Sequence, residues 1–293
     1  MILSSRFAFH KVNDFIALVK PRITALVVFT TAAGLWLAPV SLNRRLVFFT
    51  LAGTVLLVGA ANALNMYIER DIDALMRRTA NRPLPTRRLQ PVVALWFGIF
   101  LAILALAILA METNSLTAFL GFVAFVSYVL LYTPLKQKST LALWIGAVPG
   151  ALPPLMGWTA AMDSINLPGL VLFAILFLWQ IPHFLAIAIM HQKEYTQAGI
   201  KIVPTEQGLR PTVHYMIRYV AGLLAVSLYP VWLGITGPLY FWTAMILGLG
   251  FLVLGLMGLK KNISPTWARN FFLASIVYLP VLLSVLAFNS HHF

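Results

Sequence analysis

The chain has 293 residues, 60% of them hydrophobic and only 10% charged, with a mean hydropathy of +0.88 and a net charge of +13. A soluble globule carries about 25% charged residues, so this chain has too little polar surface to face water and reads as an all-α polytopic membrane protein. Spans of about 20 residues each exclude a large extramembrane domain, a soluble Rossmann or barrel enzyme and an outer-membrane barrel, and the lack of cysteine excludes disulfides, a thiolate nucleophile and Cys-based metal sites.

In chain order, apolar runs lie over 15–38, 46–68, 91–111, 116–132, 141–160, 169–190, 213–235, 239–259 and 270–288. They predict nine transmembrane helices in one bundle around a central cavity, with residues 1–293 forming a single domain. With the N-terminus inside, every Lys and Arg except Arg44 and Arg45 falls on the inner side. That set comprises Arg6, Lys11, Lys20 and Arg22, the arginines from Arg70 to Arg88, then Lys136, Lys138, Lys193, Lys201, Arg210, Arg218, Lys260, Lys261 and Arg269. The bias predicts an N-in, C-out topology and accounts for the basic charge without nucleic acid. The first run is longer than a signal-peptide core and lacks a small-residue cleavage site, so the chain reads as a bacterial plasma (inner) membrane protein inserted whole.

Outer connections are short, whereas two inner ones, about 69–90 and 191–212, are long and polar and hold Glu69, Asp71, Asp73, Glu194 and Glu206. Long ordered loops tend to be functional, so chemistry is expected at the cytoplasmic face. If the second helix continues past its apolar run, Asn65, Glu69 and Asp73 recur at i, i+4 and i+8 and fall within a stripe of about 80°. Like charges four apart are unfavourable, and more so near lipid, which calls for a cation. Carboxylates joined by phosphate oxygens are how Mg²⁺ is usually held, and Arg77, Arg78 and Arg82 just downstream supply donors for a diphosphate. The competing reading pairs Asp73 with Arg77 and leaves the arginines as loop anchors. Asp71 points away from Glu69, to solvent or to Arg78.

The fourth run closes with Tyr132-Thr-Pro-Leu-Lys136, which by itself is equally a belt tyrosine beside an inner lysine. The sixth ends with Trp179-Gln180-Ile-Pro182-His183, followed by His191, Lys193-Glu194-Tyr195 and Gly199-Ile-Lys201. A histidine inside an apolar span needs a partner and is a functional candidate. His183 is read either as bonded to a neighbouring helix or as a ligand-contacting group, and His191 likewise. Gly146 and Gly150, with Pro149, Pro153 and Pro154, predict close helix packing and kinks. His10, His291 and His292 are terminal and read as solvated, and His214 opens the seventh span.

Asn65-x₃-Glu69-x₃-Asp73 followed by Arg78-Thr-x-x-Arg82-Pro83-Leu84 resembles the first aspartate-rich motif of the UbiA-type intramembrane prenyltransferases, with Glu69 where that motif usually has Asp. Tyr132-x₃-Lys136 is similar to a second element of that family, in which the Lys meets the diphosphate. The second Asp cluster of the general family is missing; Trp-Gln-x-Pro-His-Phe and Lys-Glu-Tyr-x-x-Ala-Gly-Ile resemble instead its heme-specific branch. The resemblance covers nearly the whole chain. It implies Mg²⁺-dependent transfer of the farnesyl group of farnesyl diphosphate to a vinyl group of protoheme IX, with addition of water. Asn65, Glu69 and Asp73 are then the catalytic metal and diphosphate residues, and Glu194 is a further metal ligand or else a partner of Lys193 or Lys201. Arg77, Arg78, Arg82, Lys136 and Lys193 are assigned to the diphosphate, with the choice between Arg77 and Arg78 open. His183, His191 and Lys201 are assigned to heme, which is a substrate, not a resident cofactor. Lys193 and Lys201 are each open between heme propionates and diphosphate. A heme-copper oxidase assembly protein or heme A synthase is the implied recipient. The alternatives are a prenyltransferase for a quinone precursor or other aromatic acceptor, and a non-catalytic heme-binding or transport protein.

Overall fold

The computed structural model describes residues 12–260 and 263–290. Arg6, His10, Lys11, Lys261, His291 and His292, and the side chain of Lys260, lie outside the described residues. The rest is helical, with a lone bridge between Thr236 and Ser290 and no strand among the described residues. In chain order the helices are α1 (Val12–Val19), α2 (Pro21–Trp36), α3 (Arg44–Asp73), α4 (Pro91–Glu112), α5 (Ser115–Leu135) and α6 (Ala142–Met162). They continue with α7 (Leu167–Met190), α8 (Gln192–Gln197), α9 (Val203–Glu206), α10 (Leu209–Trp232), α11 (Pro238–Lys260) and α12 (Pro265–Phe288).

Among the described residues, seven of these helices are long and apolar enough to cross a membrane, and eight if α1 and α2 count as one span bent by 45°. The remaining expected run, 141–160, is present as α6, a 21-residue helix with three internal prolines that is not among those seven or eight. Its composition suits its place. Most of α6 is buried against α2, α5 and α7, so it faces protein where the other helices face lipid. Gly34 of α2 and Gly157 of α6 lie at their crossing: a methyl group at Gly34 would strike the Pro154 carbonyl, and one at Gly157 the Thr31 carbonyl. Small residues therefore let the two backbones touch; the glycines singled out in the sequence, Gly146 and Gly150, instead make room for the side chains of Tyr132 and Gln180.

Helix ends follow local chemistry. Asn43, Asn114 and Ser264 accept backbone N–H bonds at the starts of α3, α5 and α12, and Pro21, Pro91 and Pro265 open α2, α4 and α12. The predicted first span is broken at Lys20, which takes a left-handed conformation (φ 48°) immediately before Pro21. The second helix does continue, to Asp73, and leads into the first long connection, residues 74–90; the second, residues 191–208, follows α7 and meets the first at the same end of the bundle. The second of these is not structureless but carries α8 and α9.

Candidate active site

The extension of α3 fixes the first three side chains. Asn65, Glu69 and Asp73 are all buried on one face and line a cavity of about 280 Å³. Asn65 is held at both ends of its amide: Nδ2 donates to Thr133 Oγ1 at 3.2 Å, and Oδ1 accepts from Lys20 Nζ at 3.0 Å. Glu69 Oε1 accepts from Lys136 Nζ at 2.7 Å. Asp73 Oδ2 accepts from Arg82 Nη1, also at 2.7 Å, while its Oδ1 is buried without a partner.

The cations arrive from four separate segments. Arg82 reaches Asp73 because the chain turns back directly after α3, where Thr79 Oγ1 donates to the Asp73 carbonyl at 2.8 Å. Lys136 follows α5 shortly after a π-helical stretch, Ser127–Tyr132, in that helix's last turns. Such turns recur at functional sites, and this one carries Tyr128 and Tyr132 into the cavity wall. Their rings lie 5.3 Å apart, and the Lys136 ammonium sits 4.3 Å from the centre of the Tyr132 ring. Gly146 of α6 leaves room for that ring. Lys20 comes from the α1–α2 break, Arg78 from the first long connection and Lys201 from the second. The second connection is docked here by a backbone bond from Lys201 N–H to the Lys136 carbonyl at 2.8 Å.

Lys20, Arg78, Arg82, Lys136 and Lys201 thus line the cavity with only Glu69 and Asp73 as carboxylates. A surplus of cations at a buried site favours a polyanion. The remaining wall is apolar, including Ile23, Leu143, Phe184, Leu185, Ile187 and Ala188, which suits a hydrocarbon attached to that anion.

The structure brings together seven of the sequence-predicted residues: Asn65, Glu69, Asp73, Arg78, Arg82, Lys136 and Lys201. Between the two arginines left open, Arg78 lines the cavity and Arg77 is exposed outside its lining. Asp73 pairs with Arg82, not with Arg77; Asp71 faces solvent, one of its two expected fates, and lies 3.7 Å from Arg70. Lys201 pairs with Glu206 at 3.1 Å. Lys193 is exposed, and Glu194, outside the lining, has a buried Oε2 with no partner. His183 also faces away from the lining: its Nδ1 lies 2.7 Å from Ser275 Oγ of α12, and its ring stacks on Trp179 at 4.7 Å. His191 caps α7, edge-on to Tyr195.

Among the cavity residues to which the sequence reading gave no role are Lys20, Tyr128, Tyr132 and Tyr195. Lys20 counted there only as an inner-side charge, although a lysine early in an apolar run was its signal. Tyr128 carried none, and Tyr195 stood in a motif without a role.

A model of the UbiA prenyltransferase family matches residues 27–276. The chain belongs to that family. Among relatives of this UbiA-family chain is a protein from Myxococcus xanthus (strain DK1622) named protoheme IX farnesyltransferase, 49% identical over 94% of each chain. Another of the same name, from Sorangium cellulosum (strain So ce56), is 47% identical over 89% of this chain and 99% of that one. Solved structures share the UbiA fold at lower identity. A digeranylgeranylglyceryl phosphate synthase matches with a TM-score of 0.82 and 16% identity, over 96% of this chain and 98% of that one. A UbiA homologue from Archaeoglobus fulgidus bound to GPP and Mg²⁺ matches with a TM-score of 0.64 and 16% identity, over 94% and 99%.

Proposed function

We propose that this chain is a protoheme IX farnesyltransferase: it joins the farnesyl group of farnesyl diphosphate to a vinyl group of protoheme IX, adds water and releases diphosphate, giving heme O. The observation that carries the reading is the cavity itself, in which a cation-rich polar part and an apolar wall meet on one surface. That combination fits a molecule with an anionic head and a greasy tail. The acceptor comes from the relatives, whose name specifies heme.

The donor set fits a shared Mg²⁺. Among the described residues no three His, Cys, Asp or Glu groups cluster tightly enough to cage a metal. Two carboxylates and an amide oxygen, with Asp73 Oδ1 left unpartnered, are instead the partial set used when phosphate oxygens and water complete the shell. Asn65, Glu69 and Asp73 would hold the ion, and the orphaned Oε2 of Glu194 is the reason to keep that residue as a fourth candidate. When bound, the ion neutralises charge that develops on the departing diphosphate.

The chain's own groups do the rest. Arg78, Arg82 and Lys136 bind diphosphate oxygens and stabilise them as the allylic C–O bond breaks; Arg77 and Lys193, exposed and outside the lining, are secondary candidates for the same anion. Tyr128 and Tyr132 present π faces to the allylic cation, and the apolar wall excludes water from it. The vinyl carbon of heme then bonds to the farnesyl carbon, and water adds to the resulting cation with loss of a proton. Lys201, His191 and His183 are the heme-directed groups of this proposal; Lys201, which lines the cavity, is assigned to a propionate. His183 lies on α7, which also supplies cavity wall through Phe184 and Ile187.

Nine spans, with α6 as the ninth, an N-in and C-out topology, and one domain whose site opens at the cytoplasmic face of a bacterial inner membrane, complete the reading. A heme A synthase or an oxidase-assembly protein is the proposed recipient of the product. The test is to supply purified protein with Mg²⁺, farnesyl diphosphate and either heme or an aromatic acid, and to weigh the products. A mass gain on heme, lost with EDTA and restored by Mg²⁺, is expected; product from the aromatic acid alone overturns the assignment.

A further inference from the structure

Arg78 stands at the edge of the cavity, exposed on one side and lining it on the other. Its guanidinium does not hang free. Arg78 Nη2 donates to the Tyr195 hydroxyl oxygen at 2.7 Å, and the guanidinium carbon lies 5.0 Å from the centre of the Tyr195 ring. Tyr195 also lines the cavity. It belongs to α8, in the second long connection, so this contact joins the two connections across the mouth over a sequence separation of 117 residues. The Lys201-to-Lys136 backbone bond pins the same connection six residues later.

The direction of the Arg78 bond decides what Tyr195 can do. An arginine has only donors, so the tyrosine oxygen is the acceptor, and its own hydroxyl hydrogen has no acceptor among the described residues. An ordinary phenol keeps that hydrogen at physiological pH. Two donors, a guanidinium and a phenol, are therefore held together at one edge of a cation-rich cavity.

We propose that Tyr195 is a diphosphate-positioning residue, which orients Arg78 and offers its own O–H to the same anion. This assigns to the second connection, which lacks an acidic cluster of the kind carried by α3, a share in holding the leaving group. The inference rests on the farnesyl diphosphate reading above.

The experiment uses the full chain in nanodiscs, with Mg²⁺ and inorganic pyrophosphate as the probe in calorimetry. Tyr195→Phe removes one hydrogen bond to a charged group and one donor, so pyrophosphate affinity falls about tenfold with the melting temperature unchanged. In an Arg78→Gln background the same substitution has a much smaller effect, because the two groups act as a unit. In turnover assays Tyr195→Phe raises KM for farnesyl diphosphate and leaves KM for heme as it was. Wild-type affinity for pyrophosphate in Tyr195→Phe, or effects that simply add in the double variant, overturns the proposal. Failure of the parent reading shows separately, as wild-type protein that makes no farnesylated heme.

Discussion

Both ends of α3 and its neighbours carry ion pairs, and the pairs look alike by distance. At the end where α3 begins, Arg45 clasps Glu112 of α4 with two bonds, at 2.7 and 2.9 Å. At the other, Lys136 meets Glu69 and Arg82 meets Asp73, each at 2.7 Å. Their surroundings differ. The Arg45 side chain is 70% exposed, whereas that of Asp73 is 1% exposed. Water and salt screen the first pair, so its good geometry contributes little. The second set lies in a cavity where charge is costly to bury, and it brings more cations than its carboxylates need. A closed set of structural pairs would balance; this one is left poised for an anion.

The strongest break of that comparison removes the acids. Glu69→Ala and Asp73→Ala are each expected to lower farnesylated-heme production by at least about 10²-fold, the scale of losing one preorganised electrostatic group. Both variants should still elute as folded protein in detergent. Turnover near wild-type in both would reduce the carboxylates to partners for Lys136 and Arg82.

Lys136→Met separates structural from functional roles at the same end. It strands a buried Glu69, an imbalance that costs about 3–5 kcal/mol and is read as a lowered melting temperature. Adding Glu69→Gln removes the stranded charge, so the double variant should regain stability without regaining turnover. Recovery of both together would count against any role in binding the diphosphate.

How far the sequence revealed this end depended on the range of each interaction. The stripe of Asn65, Glu69 and Asp73 was legible because it needs only an unbroken helix, and α3 runs to Asp73. The partner of Asp73 was not. Extending the helix points to Arg77, but the chain turns at Asp73 and brings Arg82 instead. Lys20, Tyr195 and the His183–Ser275 contact join residues 45, 117 and 92 positions apart, and no local periodicity encodes such meetings. In α6 the prolines and glycines did point to close packing, but not to its place: the backbone crossing with α2 is at Gly157 and Gly34, residues far apart in the chain.

That crossing offers a perturbation away from both ends. Gly157→Ala sets a methyl group against the Thr31 carbonyl, which is backbone and cannot swing aside. Overpacking of this kind costs about 1–3 kcal/mol and should lower the melting temperature. An unchanged melting temperature would mean that α2 and α6 can part without loss.

The smallest effect is expected where the geometry looks best. Arg45→Gln removes the two-bond clasp on Glu112, yet the carboxylate it leaves is at the bundle's rim, where water can replace the lost donors. The Arg45–Phe49 contact, at 5.9 Å, is at the outer limit of a cation–π interaction and adds little. Melting temperature and turnover should therefore match wild-type at physiological salt, with any difference appearing only at low ionic strength. A loss comparable to that of Lys136→Met would show that exposure does not distinguish the two ends, and the argument that cavity charges are kept for a ligand would lose its control.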